Sequence, residues 1–456
     1  MNAVLKRTAG AVAALFGLAA AGAAGAAPPL PLAAKPETAG FSAEKLRRLD
    51  ETMQALVDQG QIAGGVTVLG RHGRVVSLKT FGKRSLETGE AMPADALFRI
   101  RSETKAVTGV AMLILYQEGR WRLDDPITEY LPELAELRVA SGVDAEGRPI
   151  LTPVSRPPTM RELMTHTAGF AYGLADDPAS LADQAYFRAG VLQSDTLDHL
   201  ARKVGMLPMY AQPGTMWRYS VAADLQGLIV ERLSGQTLPV FMEERIFRPL
   251  KMKDTAFWAP PEKLPRLAAL YDGDPATGKL IPAVEGPWRD VTKPPAAPSG
   301  GGGLLSTAGD FARFAQMILN GGTLDGVRIL TPESVALMRL NHLPPSFQVT
   351  TNGTAGVLRP DQKPFPFSAG MGYGLDVAVA VDPRLSGAPV GPGTISWGGS
   401  AGTWFWIDPS NDLFFIGMIQ RLGGVGSGLD ATTRTVVYQA LEKPPVKEAR
   451  LNTSSR

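Results

Sequence analysis

The sequence predicts an α/β fold of the α+β sandwich kind. In it an antiparallel sheet is built from the N- and C-terminal segments, flanked by helices, with a mainly helical region inserted. Three observations predict it. Two β-rich runs near the start, "GGVTVLG" and "RVVSLKTFG", are joined by "RHGR" and read as a hairpin. A second strand-rich block, "GYGLDVAVAVD", "GTISWGG", "GTWFWID" and "LFFIGMI", fills the last third, its last two runs hairpinned through "PSND". Between the blocks, from about 120 to 300, the text is helical and loop-like with many prolines. Residues 40–100 and 300–445 are therefore expected to form a discontinuous sheet domain, and 101–299 a mainly helical one.

The elements follow in order. "FSAEKLRRLDETMQALVDQG" (41–60) places Leu46, Leu49, Met53, Leu56 and Val57 on one helical face, with Ser42 as its cap. "RIRSETKAVTGVAML" (99–113) ends an apolar run and starts a helix that Gly119 closes. Thr159 and Glu162 fit a capping box ahead of "MRELM". The glycine run of "SGGGGLLSTAGDFARFAQMILNGG" (299–322) precedes a helix capped near Ser306 or Thr307 and stopped by Gly321-Gly322. A helix from about Asp430 to Leu441 closes the fold, and residues 446–456 read as a disordered polar tail.

Composition narrows the function. The basic start "MNAVLKR", a short alanine-rich apolar stretch and small residues at Ala24 to Ala26 read as an export signal cut near Ala26. This places the mature protein in the periplasm or outside the cell. Without Lys6 and Arg7 the formal charge of +2 falls to about zero, and no basic run points to nucleic acid or anionic lipid. No later segment is long and apolar enough for stable membrane insertion. The chain has no cysteine, which excludes disulfides, thiol nucleophiles and thiolate metal sites.

Three motifs are decoys. "GDPATGK" (273–279) has P-loop spacing but lacks the following Ser or Thr and precedes no helix. "GGSAG" (398–402) spells a nucleophile elbow, yet a strand follows it and all four histidines precede Ser400. "SAEK" (42–45) repeats a Ser-x-x-Lys spacing at the start of a surface helix. Ser102 and Lys105 share that spacing in another context. At i and i+3 on a helix the two side chains share a face, so the ammonium can reach the hydroxyl. The helix N-terminus favours the negative charge of an alkoxide or oxyanion, and burial can lower a lysine's pKa until it relays protons.

Five segments in fixed order carry a resemblance. They are "SETKAVTGVAMLILYQEGRWRLDDPITEYLPE", "MRELMTHTAGF", "QPGTMWRYSVAADLQGLIVERLSG", "GGGGLLSTAGDFARFAQMILNGG" and "SWGGSAGTWFWIDP". The chain resembles the serine β-lactamase and penicillin-binding-protein superfamily over roughly residues 41–440. Within it, class C β-lactamases and the family VIII carboxylesterases are the nearer likeness. The resemblance implies a β-lactamase/transpeptidase-like fold, a monomer, and no metal or organic cofactor. It makes Ser102 the acylated nucleophile, Lys105 its proton partner and Tyr219 the general base. The backbone N–H groups of Ser102 and Ser400 would form the oxyanion hole, and Trp397, Gly398 and Gly399 would edge the substrate site. His166 reads as architectural. Trp217, Trp397, Trp404 and Trp406 are candidate walls of an apolar acyl pocket, with ordinary core packing expected for at least half.

Departures from the family pattern set the expected substrate. Lys-Thr-Gly is replaced by Trp397-Gly398-Gly399, and the asparagine two residues after the tyrosine by Val221. Both losses remove hydrogen bonds that hold a penicillin and leave an apolar, uncharged approach. A carboxylesterase for short-chain esters is expected, with weak turnover of cephalosporin-like lactams. The alternatives are a β-lactamase or D-amino-acid peptidase of the same fold, or a non-catalytic cell-wall ligand-binding protein. Either enzyme would take a small-molecule ester or amide.

Overall fold

The computed structural model describes residues 30–146, 148–174, 180–285, 290–344, 347, 369–424 and 428–442. The export signal read at 1–26 and the tail at 446–456 lie outside them. Seven strands form one antiparallel sheet: β1 (Gly64–Arg71), β2 (Arg74–Gly82), β3 (Met371–Tyr373), β4 (Ala378–Ala380), β5 (Ile395–Gly399), β6 (Thr403–Asp408) and β7 (Leu413–Ile419). Their order is β3-β4-β5-β6-β7-β1-β2. The two ends of the chain meet where β1 pairs with β7, from Gly65 opposite Ile419 to Arg71 opposite Leu413. The sheet is thus assembled from distant segments, as the sequence implies.

Helices cover both faces. Leu46, Leu49 and Met53 of α1 (Ala43–Asp58) pack with Val437 and Ala440 of α6 (Leu429–Ala440) on Trp404, Trp406, Phe415 and Ile419. The opposite face carries Phe405, Ile407, Phe414 and Ile416. It meets α5 (Ala308–Leu319), where the Phe311 and Phe405 rings lie 5.1 Å apart. Alternate residues of β6 and β7 thus enter two cores, which is why both strands read as unbroken apolar runs. Gly417 leaves room for the Trp404 ring, since a Cβ there would come within 2.2 Å of it.

Local chemistry sets the ends of the elements. Ser42 accepts from the Lys45 amide and caps α1, Thr307 caps α5, and Thr159 with Glu162 forms the capping box. "GYGLDVAVAVD" is not one strand. It folds into β3 and β4 around a turn in which Asp376 takes φ 61° and the Gly374 amide bonds the Val377 carbonyl at 2.8 Å. Its apolar content hides a Gly and an Asp placed where a turn needs them. "GDPATGK" is a hairpin turn, with the Asp274 carboxylate accepting from the Ala276 and Thr277 amides.

Three further helices matter for the site: α2 (Thr104–Gln117), α3 (Leu197–Met206) and α4 (Ala222–Ser234). The inserted region also holds a hairpin of Arg138–Val143 with Pro149–Pro153. Among the described residues, no helix is long and apolar enough to cross a membrane.

Candidate active site

Residues Arg101–Glu103 form a tight turn that runs directly into α2, placing Ser102 at the helix entrance. Arg101, just before it, adopts the left-handed φ of 47°. The end of β5 presses against this turn. A Cβ on Gly399 would stand 2.3 Å from the Ile100 carbonyl oxygen, so only glycine allows the approach. Ser400 then occupies the turn between β5 and β6, and Ser102 and Ser400 line one cavity. That strand–turn–strand setting is not the strand-to-helix turn a nucleophile elbow needs.

Lys105 is fully buried. Its Nζ donates to Ser102 Oγ at 3.4 Å, to the Tyr172 hydroxyl at 3.3 Å and to the Gly301 carbonyl at 2.6 Å. The ammonium also sits over the Tyr219 ring, 4.5 Å from its centroid, and 5.3 Å from that of Tyr172. Burial works against the charge, but Tyr172, Tyr219 and the Asp224 carboxylate outweigh it and hold the lysine above its ordinary pKa. Lys105 is therefore a fixed cation in the resting site. The expectation that burial would bring it towards neutrality is corrected: the surrounding oxygens win over desolvation.

Tyr219 brings the aromatic side of the site together. It stacks on Tyr172 at 5.2 Å, lies 5.7 Å from Trp397 and 6.0 Å from Trp217, and packs on His166 at 4.8 Å. Its phenol oxygen is buried beside the Lys105 ammonium. His166 is buried, its Nδ1 is 3.1 Å from Ser220 Oγ, and burial with the nearby Lys105 charge keeps it neutral. The four tryptophans divide. Trp217 and Trp397 flank Tyr219, whereas Trp404 and Trp406 lie in the core under α1 and α6, Trp404 Nε1 donating to Thr433 Oγ1 at 3.1 Å.

Sequence reasoning missed Tyr172, Gly301 and Asp224. Asp224, in the first turn of α4, accepts from Ser299 Oγ at 2.5 Å and from the Gly301 amide at 3.2 Å. It so fixes the carbonyl that holds Lys105. Tyr172 follows "HTAGF" by two residues, and burial pushes its phenol up to about 12. The available signals were an aromatic just past a glycine turn and an acid at a helix start after "YSV". The cavity itself, of about 110 Å³, has apolar walls from Leu197, Leu200 and Phe257 but also borders Arg99 and Arg101. The approach on this side is not uncharged, because a strand end and the turn before α2 both bring arginines there. Among the described residues, no group of three or more His, Asp or Glu is placed to hold a metal ion.

The site thus sets a buried lysine against a serine one turn away, with stacked tyrosines above it and a glycine-edged strand beside it. Residues 49–439 match the family described as Beta-lactamase. The chain belongs to the Beta-lactamase family. Protein Rv1367c of Mycobacterium tuberculosis is 38% identical over 375 residues, covering 81% of this chain and 88% of that one. Esterase EstB of Burkholderia gladioli is 31% identical over 408 residues, covering 86% and 94%. Among solved structures, EstCE1, a hydrolase with promiscuous acyltransferase activity, superposes with a TM-score of 0.70 at 26% identity, covering 86% of this chain and 98% of that one. The fold is the β-lactamase fold, and membership with such relatives makes this chain an enzyme of the hydrolase class, an esterase-like hydrolase or acyltransferase acting on small molecules.

Proposed function

We propose that the protein is a carboxylesterase for short-chain esters that works through an acyl-enzyme on Ser102. The observation that carries this reading is the contact of the buried Lys105 ammonium with Ser102 Oγ at 3.4 Å. The Tyr219 phenolate, stabilised by the Lys105 cation, takes the serine proton as Oγ attacks the ester carbonyl and becomes the phenol. The backbone N–H groups of Ser102 and Ser400 receive the oxyanion. Collapse breaks the ester C–O bond, and the alcohol leaves with the proton from Tyr219. Water, deprotonated by the same phenolate, then attacks the acyl carbonyl and restores Ser102.

Trp397, Gly398 and Gly399 in place of a lysine-bearing motif support esters over lactams, because no ammonium from this strand meets a penicillin carboxylate. Weak β-lactam turnover belongs to the same reading. So do two units, 40–100 with 300–445 and 101–299, which contribute Gly301 and Ser400 on one side and Tyr172 and Tyr219 on the other. The leader sequence supports export to the periplasm or beyond, and the family resemblance supports a monomer. The test is turnover of p-nitrophenyl butyrate, a chromogenic cephalosporin and a D-Ala-D-Ala peptide by mature protein and by Ser102→Ala. Ester turnover lost in the variant supports the reading. Strong peptide or lactam turnover without ester turnover overturns the esterase assignment.

A further inference from the structure

Ser102 and Ser400, whose amides would receive the oxyanion, stand on segments that the sheet ladder does not join. β5 pairs with β4 and β6, whereas the short strand Phe98–Arg99 ahead of Ser102 pairs with Leu305–Ser306. An oxyanion hole needs both donors at about 2.7–3.1 Å from one point. Packing of Gly399 on Ile100 brings the segments close, but contact alone does not fix their angle. Two buried side chains span the gap.

The first is Gln420, just past the end of β7. Its Oε1 accepts from the Arg99 amide at 3.0 Å, and its Nε2 donates to the Arg99 carbonyl at 3.3 Å. The same Nε2 lies 3.5 Å from the Ala401 carbonyl and 2.9 Å from that of Ile419. One carboxamide thus meets both backbone groups of Arg99, as a neighbouring strand would, and touches the residue after Ser400. The second is Thr403, opposite Gly399 in the β5–β6 pair, whose Oγ1 donates to the Ile100 carbonyl at 3.2 Å. That carbonyl already accepts from the Glu103 amide at 3.1 Å, so backbone satisfaction does not require the threonine hydroxyl. The Ser400 peptide is anchored from behind, its carbonyl accepting from the Gly423 amide at 3.1 Å.

We propose that Gln420 and Thr403 are positioning residues for the oxyanion hole. By tying Arg99 and Ile100 to the β5–β6 turn, they set the separation of the Ser102 and Ser400 amides. They act through those two amides and not on the reacting atoms. The inference rests on Ser102 being the acylated residue.

The test uses Thr403→Val, which removes only the hydroxyl, Gln420→Met, which keeps the side-chain length, and Thr403→Ser. With p-nitrophenyl butyrate, Thr403→Val and Gln420→Met are each expected to lower kcat by about 10- to 100-fold, with KM within about twofold. Butylboronic acid, whose boron bonds Ser102 Oγ as a tetrahedral anion with an oxygen in the hole, should inhibit more weakly by a similar factor. Inhibition by butyrate should not change. Thr403→Ser keeps the hydroxyl and should stay within about threefold of wild type. A merely structural role would lower the thermal midpoint and leave the kcat and boronate inhibition of the folded variants unchanged. That result overturns the inference, as does a kcat loss that boronate inhibition does not share, or Thr403→Ser as slow as Thr403→Val. If Gln420→Met does not fold, the two Thr403 variants decide. Hydrolysis that survives Ser102→Ala overturns the reading beneath, and this inference with it.

Discussion

The chain carries two Ser-x-x-Lys sequences at helix starts, Ser42-Lys45 and Ser102-Lys105, and they have become different objects. Ser42 accepts from the backbone amide of Lys45, whose side chain points into solvent. At the other site it is the lysine ammonium that reaches the serine, inside the protein and under two tyrosines. Spacing delivers reach in both places. Burial, and the oxygens that keep a buried lysine charged, separate a cap from a candidate nucleophile.

The comparison can be broken at either end. The largest effect is expected from Ser102→Ala, with ester kcat/KM falling by on the order of 10⁴-fold or more while the thermal midpoint changes little. Lys105→Met should follow, at roughly 10²–10⁴-fold, because no cation remains to stabilise the Tyr219 phenolate. Tyr172→Phe removes one oxygen from the ammonium and should cost about tenfold in kcat. Ser42→Ala should leave esterase kinetics unchanged and lower stability by about 1 kcal/mol, read by chemical denaturation. Loss of activity in that variant would erase the distinction.

A pH measurement sharpens the same contrast. Asp376 is buried, accepts from Gln226 Nε2 at 3.0 Å, and is pushed up to about 8 by desolvation that the more distant Lys105 charge only partly offsets. A raised folded pKa means the native state holds the proton more tightly than the unfolded chain. The group therefore contributes stability in full below its ordinary value of 3.8, and that contribution is lost as pH rises towards 8. Asp376→Asn should flatten the decline in thermal midpoint between those limits. An unchanged slope would show that the carboxyl is ionised and paired.

The sheet was legible because its strands are local texts: apolar runs with turn residues between them, and caps such as Thr159 and Thr307 whose hydrogen bonds span three residues. The β3–β4 turn was not, since Asp376 sits amid apolar neighbours that mask it. Ser102, Lys105, Tyr219 and Trp397 could be found from their motifs, and they meet in space. Tyr172, Gly301 and Asp224 could not, because their value lies in contacts with Lys105 and its surroundings across long sequence separations. The charge of Lys105 was misjudged for the same reason. Desolvation is a property of one residue, whereas the oxygens that defeat it come from three other segments.

The most direct measurement is the position of the acyl group. Mature protein is mixed with p-nitrophenyl butyrate, quenched in acid within the first turnovers, digested and mapped by mass spectrometry. A butyryl adduct on Ser102, absent from Ser42 and Ser400, is the predicted result. Turnover with the adduct on another residue, or with no adduct and undiminished activity in Ser102→Ala, would contradict it.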